Sequence, residues 1–312
     1  MTNKLNYDKL ILIIIGENYM YIANELKNLV PLENIVEVRE SYIENIFLVI
    51  EKFFADKTMF SMNDFTIHVL DEYVLDTNCN KDIFSTIYLE IDQPLNYKPS
   101  TKKKSLSKKD KYQIPEMYIK LSEIKRGLFE TLGKHFDNNN IIWEDKYGVC
   151  LKSVLTKDEN TSQSYYFRLI PSFTYYNKDN VRGLVYYHNN DIQIEYPEQF
   201  FKNYAKKNKQ TKDMFRQTVL IFKNILLKEK SINRLPSEII ETLVYNVPNE
   251  MLINDDRQSI INVVNFIRNN PLRSFKTIDE QDYAFSSLYR SMSIMYCKHI
   301  LKIIENYLTK SQ

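Results

Sequence analysis

The chain has 312 residues, of which 44% are hydrophobic and 26% charged, a balance that builds a globular protein with a sizeable core and excludes disordered or collagen-like chains. Its net charge of +2 excludes a globally basic nucleic-acid binder, so any basic surface has to be local. Five glycines in the whole chain argue against glycine-rich phosphate loops, which need several positions where backbone approaches a phosphate.

The elements follow in order. Residues 9–15 (KLILIII) read as a buried strand broken by Gly16, and 19–29 as a helix ended near Pro31. Leu10 to Ile15 is too short to cross a bilayer. Ser41, with Glu44 three residues on, opens a helix to about residue 55. Residues 65–70 and 86–91 read as strands. Residues 97–112 hold Lys102, Lys103, Lys104, Lys108, Lys109 and Lys111 and read as a lysine-rich loop. An amphipathic helix is expected over about 115–136, then strands at 149–155, 165–170 and 183–187. Beyond about residue 197 the pattern turns helical. Met214, Thr218, Phe222 and Ile225 recur at helical spacing, 237–245 lies between Pro236 and Pro248, and 259–268 follows. Residues 283–308 are apolar on more than one face, as in a buried terminal helix. The expected architecture is α+β, with a mixed α/β half, a helical half and a cleft between them.

The chemistry-bearing residues are sparse. Cys79, Cys150 and Cys297 form no close pair, which excludes a disulfide framework or a cysteine zinc site and fits a cytoplasmic protein. His68, His135, His188 and His299 lack metal spacing. Gly16 stands alone, without the further glycines of a dinucleotide fingerprint. The lysine run suits either RNA phosphates or a solvated loop.

The segment 192–223 reads IQIEYPEQFFKNYAKKNKQTKDMFRQTVLIFK, and 236–252 reads PSEIIETLVYNVPNEML. The Tyr196–Pro197 turn, Lys207–Asn208 with Thr211, a helix ending in Lys223, and the block from Pro236 to Pro248 together resemble the helical lobe of the bacterial CD-NTases, the cGAS/DncV-like nucleotidyltransferases. The resemblance covers roughly residues 190–309. It implies a polymerase-beta-like nucleotidyltransferase core with a C-terminal helical lobe, and template-independent synthesis of oligonucleotide signals in antiphage defence. The domains expected are a strand–helix extension (1–40), the core (41–190) and the helical lobe (191–312).

Such a core carries a G-S turn, a threonine, a D-x-D and a third aspartate before a proline, and its three carboxylates hold two Mg²⁺ ions. Aligning the strand 87–91 with the family's strand after D-x-D puts Thr77 on the threonine and Asp71–Glu72 on the G-S pair. The carboxylates fall on Phe84, Thr86 and Arg168. No other G-S or D-x-D occurs in the first 190 residues. The resemblance therefore implies a pseudoenzyme with no metal or other cofactor. Its partners would be a nucleotide or oligonucleotide, or a protein such as an active transferase or an effector, with no membrane. Lys223 and Ser237, which resemble triphosphate contacts, would hold an anion with Lys206 and Lys207. The bland alternative is a solvated lysine and an N-cap serine. Two other readings are an active Mg²⁺ transferase using Glu90, Asp92, Glu144 and Asp145, and an RNA-binding module built on the lysine run.

Overall fold

The computed structural model describes residues 34–55, 65–71, 83–95, 108–136, 140–145, 148–158, 161–188, 191–229, 237–285 and 294–310. The strand expected at 9–15, the helix at 19–29, Gly16, Glu72, Thr77, Cys79 and Lys102 to Lys104 lie outside them. Residues 31–312 form one compact unit.

The first part of that unit is a mixed sheet with helices on one face. Helix α1 (Asn34–Ala55) precedes strands β1 (Phe65–Asp71) and β2 (Ile83–Leu95). Helix α2 (Lys108–His135) leads to β3 (Asn140–Glu144), β4 (Val149–Asp158), β5 (Thr161–Tyr176), β6 (Arg182–His188) and β7 (Asp191–Glu195). The strand order is β1-β2-β5-β4-β3, and β6 extends from β5 to carry β7. The β2–β5 pairing is parallel and the others are antiparallel.

Period-two alternation assigns the faces. Ile87, Leu89 and Ile91 of β2 and Tyr165, Phe167 and Leu169 of β5 are buried together with Ile43, Ile46, Ile50 and Phe53 of α1 and Leu121, Ile124, Leu128 and Leu132 of α2. The helical residues recur at three and four, so each helix commits one stripe to the sheet. Truncating a wholly buried member such as Leu128 to alanine costs about 2–5 kcal/mol.

The second part is helical: α3 (Pro197–Gln210), α4 (Met214–Leu227), α5 (Ser237–Tyr245), α6 (Asp256–Asn269) and α7 (Ile294–Lys310). Phe215, Phe222, Leu243, Val263, Ile300 and Ile304 are wholly buried in its core. Asp255 caps α6 by accepting from the Gln258 amide at 2.9 Å. Between α3 and α4, Lys212 and Asp213 take left-handed backbone, with φ of 50° and 74°. Asn208 steadies that turn, donating to Asp213 at 2.6 Å and accepting from the Arg216 amide at 3.2 Å.

Several expectations shift. Ser41 lies inside α1, which starts at Asn34, so the expected boundary at residue 40 falls within a helix. Lys108, Lys109 and Lys111 are not in a loop but in the first turns of α2. The charge run hid that start, and Pro115 sits at the eighth position of the helix rather than at its head. Residues 283–285 precede the last helix, and Tyr283 makes a bridge to Lys276 instead. No helix among the described residues is long and apolar enough to cross a membrane.

Candidate functional site

The face of the sheet turned away from α1 and α2 carries the positions that the resemblance assigns to metal carboxylates. The parallel register sets Phe84 beside Tyr166 and Thr86 beside Arg168. Strands β4 and β3 extend both rows. Tyr166 faces Lys152, which faces Ile141, and Arg168 faces Cys150, which faces Trp143. Directly paired residues project to one side of a sheet. The three positions singled out in the sequence are therefore brought together, in adjacent rows of one face. Asp71 ends β1 opposite Ser85.

Farther along the strands this face closes. Tyr88, Ile170, Leu184 and Tyr186 are buried together there, with Leu70 against them. Beyond them Glu90 is wholly buried. Its carboxylate accepts from His68 Nε2 at 2.7 Å, Thr174 Oγ1 at 2.7 Å, and Arg182 Nε and Nη2 at 3.1 and 2.9 Å. Burial alone would raise this carboxyl. The hydrogen bonds and charges of His68, Thr174 and Arg182 outweigh it and hold the group below its ordinary 4.5.

At the open end Phe84 and Tyr166 stack with ring centroids 4.6 Å apart and planes 8° off parallel. The Lys152 ammonium lies 5.2 Å from the Tyr166 centroid, a cation–π contact. Arg168 pairs with Asp145 at 2.9 Å, and 36% of its side chain is exposed. Asp145 also accepts from the Gly148 amide at 2.8 Å. Gly148 has to be glycine, because a Cβ there would stand 1.9 Å from the Leu169 carbonyl oxygen. The Cys150 thiol beneath Arg168 is pushed up to about 11 by burial, and Asp145 adds to the rise against Arg168.

A phenyl ring, a hydroxyl and a guanidinium offer no carboxylate to Mg²⁺, which takes oxygen ligands. Phe84, Thr86 and Arg168 do not fit a pair of Mg²⁺ ions. The displaced acids that are described each have a partner of their own. Glu90 is enclosed by its four hydrogen bonds, Asp145 turns to Arg168, and Glu144 lies 3.5 Å from Lys125. The Asp92 side chain is outside the described residues. Among the described residues no three His, Cys, Asp or Glu side chains gather as a metal site.

In the helical part the four anion candidates differ in exposure and partners. Lys223 is wholly buried and pairs with Glu241 at 2.8 Å. Lys207 is buried and donates to the Val247 carbonyl at 2.5 Å, with its ammonium 5.7 Å from the Tyr245 ring. Burial pushes the Lys207 ammonium down to about 8, opposed by Glu250. Lys206 is exposed, and Ser237 is half-buried at the start of α5. The side chains of Lys108, Lys109 and Lys111 lie outside the described residues.

Sequence reasoning passed over Tyr166, Lys152, Ile141 and Trp143. The signal for Tyr166 was present, because Ser164, Tyr166 and Arg168 alternate with the apolar Tyr165, Phe167 and Leu169. The signal for Trp143 was weak, because a five-residue strand reading NIIWE puts an isoleucine on each face and so does not say which one is buried.

Comparison with known proteins gives a consistent picture. Residues 202–309 match the family described as the cGAS/DncV-like nucleotidyltransferase C-terminal helical domain. Over 137 residues the chain is 26% identical to the cyclic UMP-AMP synthase of Rhodothermus marinus, which covers 42% of this chain and about half, 48%, of that protein. Over 221 residues it is 24% identical to the cyclic dipurine nucleotide synthase of Elizabethkingia meningoseptica, covering 67% of this chain and 74% of that one. The fold matches the structure of Rhodothermus marinus CdnE c-UMP-AMP synthase with a TM-score of 0.64 at 17% identity, over 87% of this chain and 91% of that chain.

Proposed function

We propose that this chain, which belongs to the cGAS/DncV-like nucleotidyltransferase family, acts without catalysis, binding a nucleotide or oligonucleotide at its sheet face within a nucleotide-signalling system. Such a protein reports or regulates a signal that an active relative makes.

One observation carries this reading. The β2–β5 register brings Phe84, Thr86 and Arg168 side by side, where the alignment expects the carboxylates of phosphoryl transfer. That chemistry needs metal ions to bridge phosphate oxygens and neutralise developing charge. A guanidinium stays protonated in proteins and accepts nothing, so Arg168 repels the cation that a carboxylate would hold. The fold tolerates the exchange because the opposite face, with Ile87, Leu89, Phe167 and Leu169, supplies the packing. Function follows the site rather than the fold.

The test is synthesis by the purified full chain. It is incubated with all four nucleoside triphosphates and Mg²⁺ or Mn²⁺, and products are separated by ion exchange. No cyclic or linear product is expected. A metal-dependent product that disappears in Asp145→Asn or Glu90→Gln would replace this reading with an active transferase using displaced acids.

A further inference from the structure

The open end of the sheet face has a composition that catalysis would not need. Two rows cross four strands: Phe84, Tyr166, Lys152 and Ile141, then Thr86, Arg168, Cys150 and Trp143. The outward groups are mostly rings, apolar surface and cations. Phe84 is 39% exposed, Trp143 37% and Ile141 56%. Lys152 and Tyr166 are half-buried. Among the described side chains Asp145 is an acid beside these rows, and it is held by Arg168 and the Gly148 amide.

We propose that this face binds a single-stranded oligonucleotide, with bases stacking on Phe84, which Tyr166 backs, and on Trp143, and phosphates drawn to Lys152 and Arg168. The proposal rests on the non-catalytic reading and names its ligand.

Three features argue for this occupant. Stacking on aromatic side chains tolerates any base, and a cation interleaved with the rings meets the phosphate between bases. Here Lys152 covers the side of Tyr166 turned away from Phe84, so the cation stands one strand beyond the Phe84–Tyr166 stack on the same surface. The rings also present themselves to unpaired bases. A duplex keeps its bases stacked inside, whereas a single strand can splay them onto a sheet. Size decides between mononucleotide and strand. Phe84 on β2 and Trp143 on β3 lie three strand spacings apart, about 14 Å, and one residue pair apart along the strands, about 7 Å. One base cannot cover both ring positions, and two or more linked nucleotides can.

The chain contains a single tryptophan, and it lies on this face, so its emission reports occupancy without a label. The full chain is titrated with a mixed-sequence 12-nucleotide single-stranded RNA, with the matching RNA duplex, and with ATP alone. The single strand is expected to quench Trp143 saturably, more tightly than duplex or ATP, with affinity falling as salt rises. Phe84→Leu and Tyr166→Leu, checked by melting temperature, should each weaken binding about tenfold. Lys152→Gln should flatten the salt dependence.

The proposal is overturned if the RNA leaves Trp143 unquenched, if the duplex binds equally well, if ATP binds as tightly as the 12-mer, or if folded Phe84→Leu and Tyr166→Leu bind like the parent. It is also overturned if the chain sediments as a dimer that Ile141→Glu dissolves while no RNA binds, which would make the face a protein contact. Absence of both nucleotide products and RNA binding refutes only this inference. Nucleotide synthesis refutes the non-catalytic reading, whatever RNA does.

Discussion

In the helical lobe Lys223 and Glu241 meet at 2.8 Å with side-chain exposures of 0% and 5%. On the sheet Arg168 and Asp145 meet at 2.9 Å with exposures of 36% and 19%. The lengths are alike and the energetics are not. A buried pair returns the cost of desolvating two charges only while both are present, so losing one strands the other. A partly exposed pair exchanges partners with water at little net cost. The Lys223–Glu241 pair is therefore under structural constraint, whereas the Arg168–Asp145 pair is held far less tightly.

The contrast can be broken first at Lys223. Lys223→Ala should lower unfolding stability in urea by about 3–5 kcal/mol, because Glu241 remains as a buried charge. Replacing the pair together, as Lys223→Met with Glu241→Leu, should recover most of that loss. A single variant no less stable than the parent would show that the lobe does not depend on the pair.

Glu90 is the place where the sheet does bury a charge. Its folded-state pKa is depressed by His68, Thr174 and Arg182 against the rise from burial. The stability it contributes is therefore present above about pH 4.5 and is lost as pH falls through the folded value. Glu90→Gln should destabilise the protein at pH 7 by about 1.5–3 kcal/mol, the scale of hydrogen bonds to a charged group. It should also make acid unfolding less steep. An unchanged acid limb in the melting-temperature profile would count against that assignment.

Lys207 gives the same sign of pH dependence in an alkaline window, but for the reverse reason, because here it is the charged form that the fold disfavours. Burial lowers its pKa to about 8 from 10.5, so the unfolded chain binds more protons between those values and stability rises with pH across that window. Lys207→Met should remove the rise, as read from melting temperature between pH 8 and 10. The smallest effect belongs to Arg168→Ala, which should cost under about 1 kcal/mol. A loss as large as that at Lys223 would erase the distinction between the two regions.

Much of this organisation is legible in the residues themselves. Residues 65–70 and 237–245 announce a strand and a helix by periodicity, and the β2–β5 face is written in the alternation of Tyr165, Phe167 and Leu169. The fate of Lys223 is not. A lysine at helical spacing reads as solvated, whereas Glu241, eighteen residues on and in another helix, pairs with it in the core. Lys207 is hidden for the same reason, since its partner is the Val247 carbonyl. The motifs pointed to the right lobe. Long-range partners, which no local pattern encodes, decide what Lys223 and Lys207 do within it.

The Glu90 cluster also has a mechanical meaning. Glu90 belongs to β2, His68 to β1, Thr174 to β5 and Arg182 to β6, and Arg182 reaches Glu198 in the first turn of α3 at 3.3 Å. One carboxylate thus rivets four strands and, through its arginine, the first helix of the lobe. Peeling any one strand away exposes a charge to loss of its partners, so the strands resist separate opening. In native-state hydrogen exchange the central amides of β1, β2, β5 and β6 should then share one opening free energy and behave as a single cooperative unit.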